Sequence, residues 1–301
     1  MSKNKIALIG AGKLAYSLTS AIINAGYDVQ IIISRKQSSA QLLARKFSVP
    51  LHSNKLKNIP SDVNIFFLTV PDGEIKSAAV KLSKLRKNFD GSICIHFSGV
   101  ENNDALSSLK KKGCAAGSIH IIRPFPSKNI VDIRNSPASI ESENNSAINF
   151  INRMCRKLKL KPHRISSKDK VFHHIAAVHS SNFLVGNLFS AFSLISVKDN
   201  APKNIFRKTT QSALDNVFNL SPSKALSGPI DRGDIYTIKK HLKVLNIEIR
   251  KTKSSHLKLL RKNYIIQSLS LLKIVKAKYG KLGQNHKIIQ KLLLEEFRKR
   301  G

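Results

Sequence analysis

Tryptophan is absent from the 301 residues, aromatics make up only 6%, and carboxylates are scarce, 18 against 52 lysines and arginines. With 42% hydrophobic residues the chain can still bury a sizeable interior. That interior must be built mainly from Ile, Leu, Val, Ala and Phe. No apolar run reaches the roughly 18 residues that a membrane span needs. The run Ile6 to Ile9 behind Met1-Ser2-Lys3-Asn4-Lys5 is too short for a signal-peptide core, so a soluble, cytoplasmic protein is expected. Cys94, Cys114 and Cys155 are odd in number and lack C-x-x-C spacing. This argues against a disulfide framework and against a zinc site, and no metal is expected.

The missing carboxylates leave a formal charge of +34. Residues 1–160 hold 24 basic and 10 acidic residues, and residues 161–301 hold 28 and 8. The excess is therefore spread over both halves. From Arg250 to Gly301 it reaches 15 basic residues against 2 acidic ones. There Lys and Arg alternate with Leu and Ile at helical spacing, as in Leu257-Lys258-Leu259-Leu260-Arg261-Lys262, which reads as solvated faces of amphipathic helices. No base-reading motif accompanies the charge, so a nucleic-acid partner is not expected. A Lys-, Asn- and Ile-rich composition, with AT-rich codons, accounts for the charge without any partner, although an acidic partner stays open.

What the sequence does contain is alternation. Apolar strand-like runs at Ile6–Ile9, Val29–Ile33, Val63–Val70, Ser92–Phe97 and Ala115–Ile122 are separated by helical patterns. Those patterns lie at Leu14–Ala25, Ala40–Phe47, Ile75–Leu85 and Asn103–Lys111. Such alternation predicts an α/β Rossmann domain, a doubly wound and mostly parallel sheet with right-handed crossovers. The stretch from Val131 to Ile140 and beyond can complete the sheet. From Lys168 the pattern is helical almost throughout, with helices expected at 168–197, 202–219, 222–226, 233–245 and 254–278, and a last one reaching Arg300. The expected division is a Rossmann domain over 1–162 and an all-α domain over 163–301 for dimerisation and substrate binding.

Gly10-Ala11-Gly12-Lys13-Leu14-Ala15 follows the first strand and opens the first helix. Gly10 permits a tight turn. Gly12 lets the backbone approach a pyrophosphate. Ala15 allows close helix–strand packing, and the helix start offers free N–H groups to phosphates. Lys13 and Leu14 lie at that start. After the second strand a carboxylate would select NAD, but Ser34-Arg35-Lys36 stands there. Ser34 can donate to a 2′-phosphate and Arg35 can pair with it, so NADP(H) is the expected cofactor. Val70 and Pro71 leave the end of the next apolar strand, where ligands of open α/β sheets bind, and are placed along the nicotinamide ribose. His96-Phe97-Ser98-Gly99 leaves the following strand.

Further motifs are Gly117-Ser118-Ile119-His120 with Pro124-Phe125, His174-Ile175-Ala176-Ala177 with Ser181-Asn182, and Gly228-Pro229-Ile230-Asp231-Arg232-Gly233-Asp234. Taken with the glycine loop, they resemble the family that joins a Rossmann-like domain to a helical domain of unknown function. That family is a distant relative of pyrroline-5-carboxylate reductase and of 6-phosphogluconate-dehydrogenase-like enzymes. The resemblance spans nearly the whole chain. It implies an NADP-binding oxidoreductase, usually a homodimer through the helical domain, and supplies no substrate. Ile121-Ile122-Arg123 stands where the family pattern is Pro-Leu-Gln, which puts a charge beside His120.

Reduction or oxidation of a carbonyl or imine needs a positioned proton donor. On one helix from Lys168, His174, Val178, Ser181 and Asn182 would share a face. His179, about 140° round from His174, would not, and neither would His173, about 100° away. His174 is the expected proton donor. Asn182 and Ser98 are expected to orient a small C=O or C=N substrate between the two domains, and Arg232 to hold an acidic group on it. His96 and His120 are further candidates. The Lys-x-x-Asn arrangement of related dehydrogenases has its matching spacing at His179-Ser180-Ser181-Asn182, with no lysine. That absence keeps a non-catalytic NADP(H)-binding sensor open. Asp234 can equally be a helix N-cap.

Overall fold

The computed structural model describes residues 4–195 and 202–299. Strands β1 (Lys5–Ile9), β2 (Asp28–Ile33), β3 (Leu51–Ser53), β4 (Ile65–Leu68), β5 (Ile93–His96), β6 (Ala115–Ile121), β7 (Pro137–Glu141) and β8 (Lys161–Arg164) form one sheet. Its order is β3-β2-β1-β4-β5-β6-β7-β8. All neighbours are parallel except β6 and β7. The α/β class and the mostly parallel sheet thus stand as the alternation predicted. Helices α1 (Lys13–Asn24), α2 (Gln37–Lys46), α3 (Ile75–Ser83), α4 (Ser107–Lys110) and α5 (Asn145–Lys157) connect the strands.

Both faces of the sheet are covered, which is why its central strands read as unbroken apolar runs. Ile6, Leu8, Phe67, Ile95 and Ile119 point into one core with Leu18, Ile22, Phe150 and Met154. The alternate residues Ala7, Ile9, Phe66, Leu68 and Cys94 point into the other, with Leu82 and Leu109. Helix α5 escapes a reading by strand alternation, yet it buries Ala147, Phe150, Ile151, Met154 and Cys155 along one stripe. Asn144 caps it by accepting from the Ser146 and Ala147 amides at 2.9 and 3.1 Å.

The compact units divide between Leu184 and Val185. The expected boundary at 162/163 would cut β8. In the first unit follow α6 (Lys170–Ser180) and the start of α7 (Asn182–Leu194). The single helix expected over 168–197 is therefore two helices. Ser181 leaves helical geometry with φ −125° and ψ −61°. The Ser180 hydroxyl donates back to the Ala177 carbonyl at 3.1 Å, and the Ser181 hydroxyl donates to Asn182 Oδ1 at 2.9 Å. Such local hydroxyl bonds compete with the helix ladder. Val197 and Arg300, where two expected helices end, lie outside the described residues.

The second unit contains α8 (Pro202–Ile205), α9 (Arg207–Leu220), α10 (Pro222–Ala225), α11 (Pro229–Arg232), α12 (Ile235–Thr252), α13 (Ser255–Tyr279) and α14 (Gln284–Arg298). Its core is Ile230, Ile238, Leu242, Ile265, Leu272, Val275, Ile289 and Leu293. A buried ion pair between Arg261 and Glu296 ties α13 to α14. Among the described residues no helix is long and apolar enough to cross a membrane.

Candidate functional site

The glycine loop sits at the carboxyl end of β1, between the ends of β2 and β4. Gly10 has φ +123°, and a Cβ there would lie 2.4 Å from the Thr69 carbonyl oxygen. Its amide donates to the Ile33 carbonyl at 2.7 Å, which binds the loop to the end of β2. Gly12 caps α1 with no side-chain partner for the helix's first-turn N–H groups. Those free donors, at the positive end of the helix dipole, are what an anion such as a pyrophosphate needs.

A cleft of about 480 Å³ opens over this loop. Of the residues expected to bind a cofactor, Gly10, Gly12, Ser34, Arg35, Val70 and Pro71 line it. Lys13 and Leu14 do not. The Lys13 side chain is exposed, and Leu14 packs against the core. Arg35 reaches across to Glu74 at 3.3 Å. With its side chain 78% exposed it is free to turn towards a phosphate. A dinucleotide phosphate fits these residues, since the first-turn amides of α1 have no side-chain partner and the rim of the cleft carries the Arg35 guanidinium.

Next to the cleft, at the ends of β5 and β6, lies a set of buried and half-buried polar groups. His120 and His174 meet edge to face with ring centroids 5.4 Å apart. A Cβ on Gly99 would come 2.4 Å from His174 Nδ1 and 3.0 Å from the His120 ring. The absent side chain of Gly99 is thus what admits both imidazoles. His174 Nδ1 is buried without a partner, and so is Nε2 of His96. Lys170, one turn before His174, is buried and donates to Glu141 Oε2 at 2.9 Å and to Ser118 Oγ. Glu141 also accepts from Ser118 Oγ at 3.1 Å, Ser167 Oγ at 2.6 Å and the Asn103 amide at 3.3 Å.

Burial, and after it the repulsion of His174 and Lys170, pulls His120 down to about 4, with Asp72 opposing. Burial and Lys170 pull His96 down to about 3, with Glu141 opposing. Burial pushes Glu141 up, but the Ser167 hydroxyl and the Lys170 ammonium outweigh it and hold the carboxyl below its ordinary range. Burial lowers Lys170 against the pull of Glu141, Glu101 and Asp72. Asp72, in the turn just after Val70 and Pro71, is the nearby carboxylate that opposes the shifts of both His120 and Lys170.

A pH prediction follows from His96. Its folded-state value lies below 6.5, so between pH 6.5 and about 3 the unfolded chain binds more protons than the fold. Stability falls with acid over that window, by about 1.4 kcal/mol per pH unit for one such histidine. Urea unfolding from pH 7 to pH 4 should show this slope added to that of His120, and His96→Asn should remove the His96 share and leave the other. An equal slope in the variant would assign the effect elsewhere.

Of the residues expected to do chemistry, His174 is brought to the cluster. Ser98 lies there too, but its hydroxyl accepts from the Val100 and Glu101 amides at 3.0 and 2.9 Å and shapes the turn. Asn182 is exposed, and the break at Ser181 removes the common face it was expected to share with His174. Arg232 is exposed at the end of α11 in the second unit. Asp234 is the N-cap of α12, accepting from the Thr237 amide at 3.0 Å. Asp231 pairs with Lys278 at 2.9 Å.

Sequence reasoning missed Lys170 and Glu141. His179 stands where a lysine was sought, and the buried lysine of this helix is Lys170, a turn ahead of His174. In a chain this basic one more lysine carries no signal. Its four-residue spacing from His174, on the same helix face, was the clue available.

The sheet order and the glycine cradle define a Rossmann-type protein with a C-terminal helical domain. Residues 5–98 match the family model described as NADP oxidoreductase, coenzyme F420-dependent. Residues 136–262 match that of a domain of unknown function, DUF2520. The chain therefore joins an NADP-oxidoreductase-type domain to a DUF2520 domain, the pairing its motifs resemble. A crystallised Bacteroides fragilis protein designated a candidate NADP oxidoreductase shares 22% identity at a TM-score of 0.70, over 86% of this chain and 97% of that one. A reductive aminase from Aspergillus terreus, crystallised with NADPH and ethyl-5-oxohexanoate, shares 10% identity at a TM-score of 0.64, over 99% and 100%. At such identities the likeness is one of fold. A curated Xenopus tropicalis relative, glucose-fructose oxidoreductase domain-containing protein 1, is 32% identical over 88 residues, 27% of this chain. The match spans only 23% of that relative's length.

Proposed function

We propose that the chain is an NADP(H)-dependent oxidoreductase, acting on a small C=O or C=N substrate at the carboxyl ends of β5 and β6. One observation carries this reading: the glycine cradle with its Ser34-Arg35 rim stands at the carboxyl ends of β1 and β2, and the half-buried imidazole pair His120–His174 stands at the carboxyl end of β6 in the same sheet. Gly10, Gly12, the first-turn amides of α1, Ser34, Arg35, Val70 and Pro71 hold the dinucleotide. Bound NADPH supplies a hydride. The protein's part is to orient the substrate, keep water out and manage a proton. Gly99 buries His174 Nδ1, so Nε2 is the nitrogen that meets the substrate and exchanges the proton with it. Ser98 keeps its own hydroxyl proton to donate.

Self-association fits the helices. Helix α7 buries none of its residues, and Phe183, Val185 and Phe189 are 51%, 68% and 61% exposed. A homodimer through the helical part would cover them. The three buried, unpaired cysteines accord with a cytoplasmic setting.

The test combines NADPH titration with turnover on a panel of ketones, imines and amino acids. Arg35→Asp should weaken NADPH binding at least ~10-fold and leave NADH little changed. His174→Gln should lower kcat on the order of 100-fold at unchanged NADPH affinity. NADPH binding with no turnover of any panel member sinks the catalytic half and leaves an NADP(H) sensor, a reading that the exposed Asn182 favours. Absence of NADPH binding sinks both.

A further inference from the structure

The buried lysine is not placed to meet a substrate. Lys170 is 1% exposed, and its ammonium is occupied by Glu141 and Ser118. Its geometry suggests another role. Along β6, Ser118 and His120 are two residues apart and project from one face, about 6.6 Å from each other along the strand. The intervening Ile119 points into the opposite core. On α6, Lys170 and His174 are four residues apart, one turn and about 6 Å along the axis. Two rungs of matching pitch therefore join helix to strand, Lys170 on Ser118 and His174 on His120. Glu141, the register partner of Ser118 on β7, holds the first rung from the neighbouring strand. The second rung has no hydrogen bond between its rings, and His174 Nδ1 has no partner at all.

We propose that Lys170, with Glu141 and Ser118, is a positioning group that fixes α6 on β6 in the one register placing the His174 imidazole beside that of His120. The first rung is polar, buried and directional, whereas the second is only a contact. A helix held by apolar packing alone could slide or rotate by a fraction of a turn, and the imidazole pair would be lost. This deepens the proposed function and draws its catalytic meaning from that reading, while the arrangement itself can be tested without it.

The experiment follows the histidine ring signals of the full chain, labelled with ¹³C at Cε1 and assigned with His120→Gln and His174→Gln. The groups facing His120 are His174 and Lys170 from α6, Asp72 from the turn after β4, and His163 from β8. Wild type should show a ring-to-ring cross-peak and a His120 titration midpoint near pH 4. In Lys170→Met/Glu141→Gln, which buries no lone charge, the cross-peak should fall severalfold. The His120 midpoint should move towards 6.5, because the Lys170 repulsion is gone while burial remains. An unchanged cross-peak and midpoint overturn the proposal. If the double variant does not fold by circular dichroism, Ser118→Ala decides, since it keeps the ion pair and removes only the strand side of the rung. A cross-peak at least halved supports the proposal, and a cross-peak at wild-type strength overturns it. Neither readout involves NADPH, so failure of the oxidoreductase reading and failure of this one are separate results.

Discussion

Gly10→Ala will lower the stability of the fold by about 2–6 kcal/mol, whereas Gly12→Ala, two residues on, will leave it nearly unchanged. The difference lies in what each new methyl group meets. At Gly10 the backbone has φ +123°, which strains any L side chain. The added carbon would also sit 2.4 Å from the Thr69 carbonyl oxygen, 2.5 Å from its carbon and 2.8 Å from its Oγ1. Thr69 cannot step aside. Its amide donates to the Ile9 carbonyl at 2.8 Å and its hydroxyl to the Gly10 carbonyl at 3.0 Å. Strain and overpacking of roughly 1–3 kcal/mol each give the stated range, or a drop in Tm of roughly 5–15 °C. At Gly12 the φ is −81°, and the nearest atom to a new Cβ is 3.8 Å away. That variant should keep its Tm and lose NADPH affinity, because the methyl group would stand where the pyrophosphate approaches. Calorimetry and NADPH titration on the pair check this. Equal losses of stability would show that the loop, not the Thr69 contact, is what glycine serves.

Lys170→Met should cost about 3–5 kcal/mol at neutral pH, because it leaves the Glu141 carboxylate buried beside a thioether. Lys170→Met/Glu141→Met should recover most of that loss, since the expense lies in the uncompensated charge and not in the missing pair. The pH dependence has a definite sign. In wild type Glu141 titrates below its ordinary value of 4.5. Its contribution is therefore complete above that value and disappears as pH falls through the depressed folded-state value. In Lys170→Met the orphaned carboxyl is pushed upward and takes a proton sooner. Its deficit against wild type should then narrow on going from pH 7.5 to pH 5. Urea midpoints of the three proteins at both pH values measure it. A deficit that stays constant with pH would point to lost packing of the lysine stem.

What the sequence made legible follows from which side chains had to be buried. Strands β1, β4 and β6 stand between two cores, so their apolar runs leave no other reading. Strands β3 and β8 were not foreseen. One has three residues, and the other is Lys-Pro-His-Arg, because edge positions have little interior to face. The glycine loop and its Ser34-Arg35 rim were legible because the constraint there is a backbone one, carried by residue types within a short span. The imidazole cluster was legible only in part. His174 stood out by its residue type. Lys170, Glu141 and Ser118 are distant in sequence and meet only because β7 runs antiparallel beside β6. The break at Ser181 rests on two hydroxyl bonds that no apolar periodicity records.

The two outer strands bear on how the protein behaves when crowded. A sheet margin with open amides is an invitation to strand addition and to fibrous aggregation. Here one margin is only the three residues Leu51–Ser53, and the other carries Pro162, which lacks an amide hydrogen, between charged Lys161 and Arg164. Neither can template a neighbour's backbone over any length. Growth of ribbons by strand addition at either margin of the sheet is therefore disfavoured.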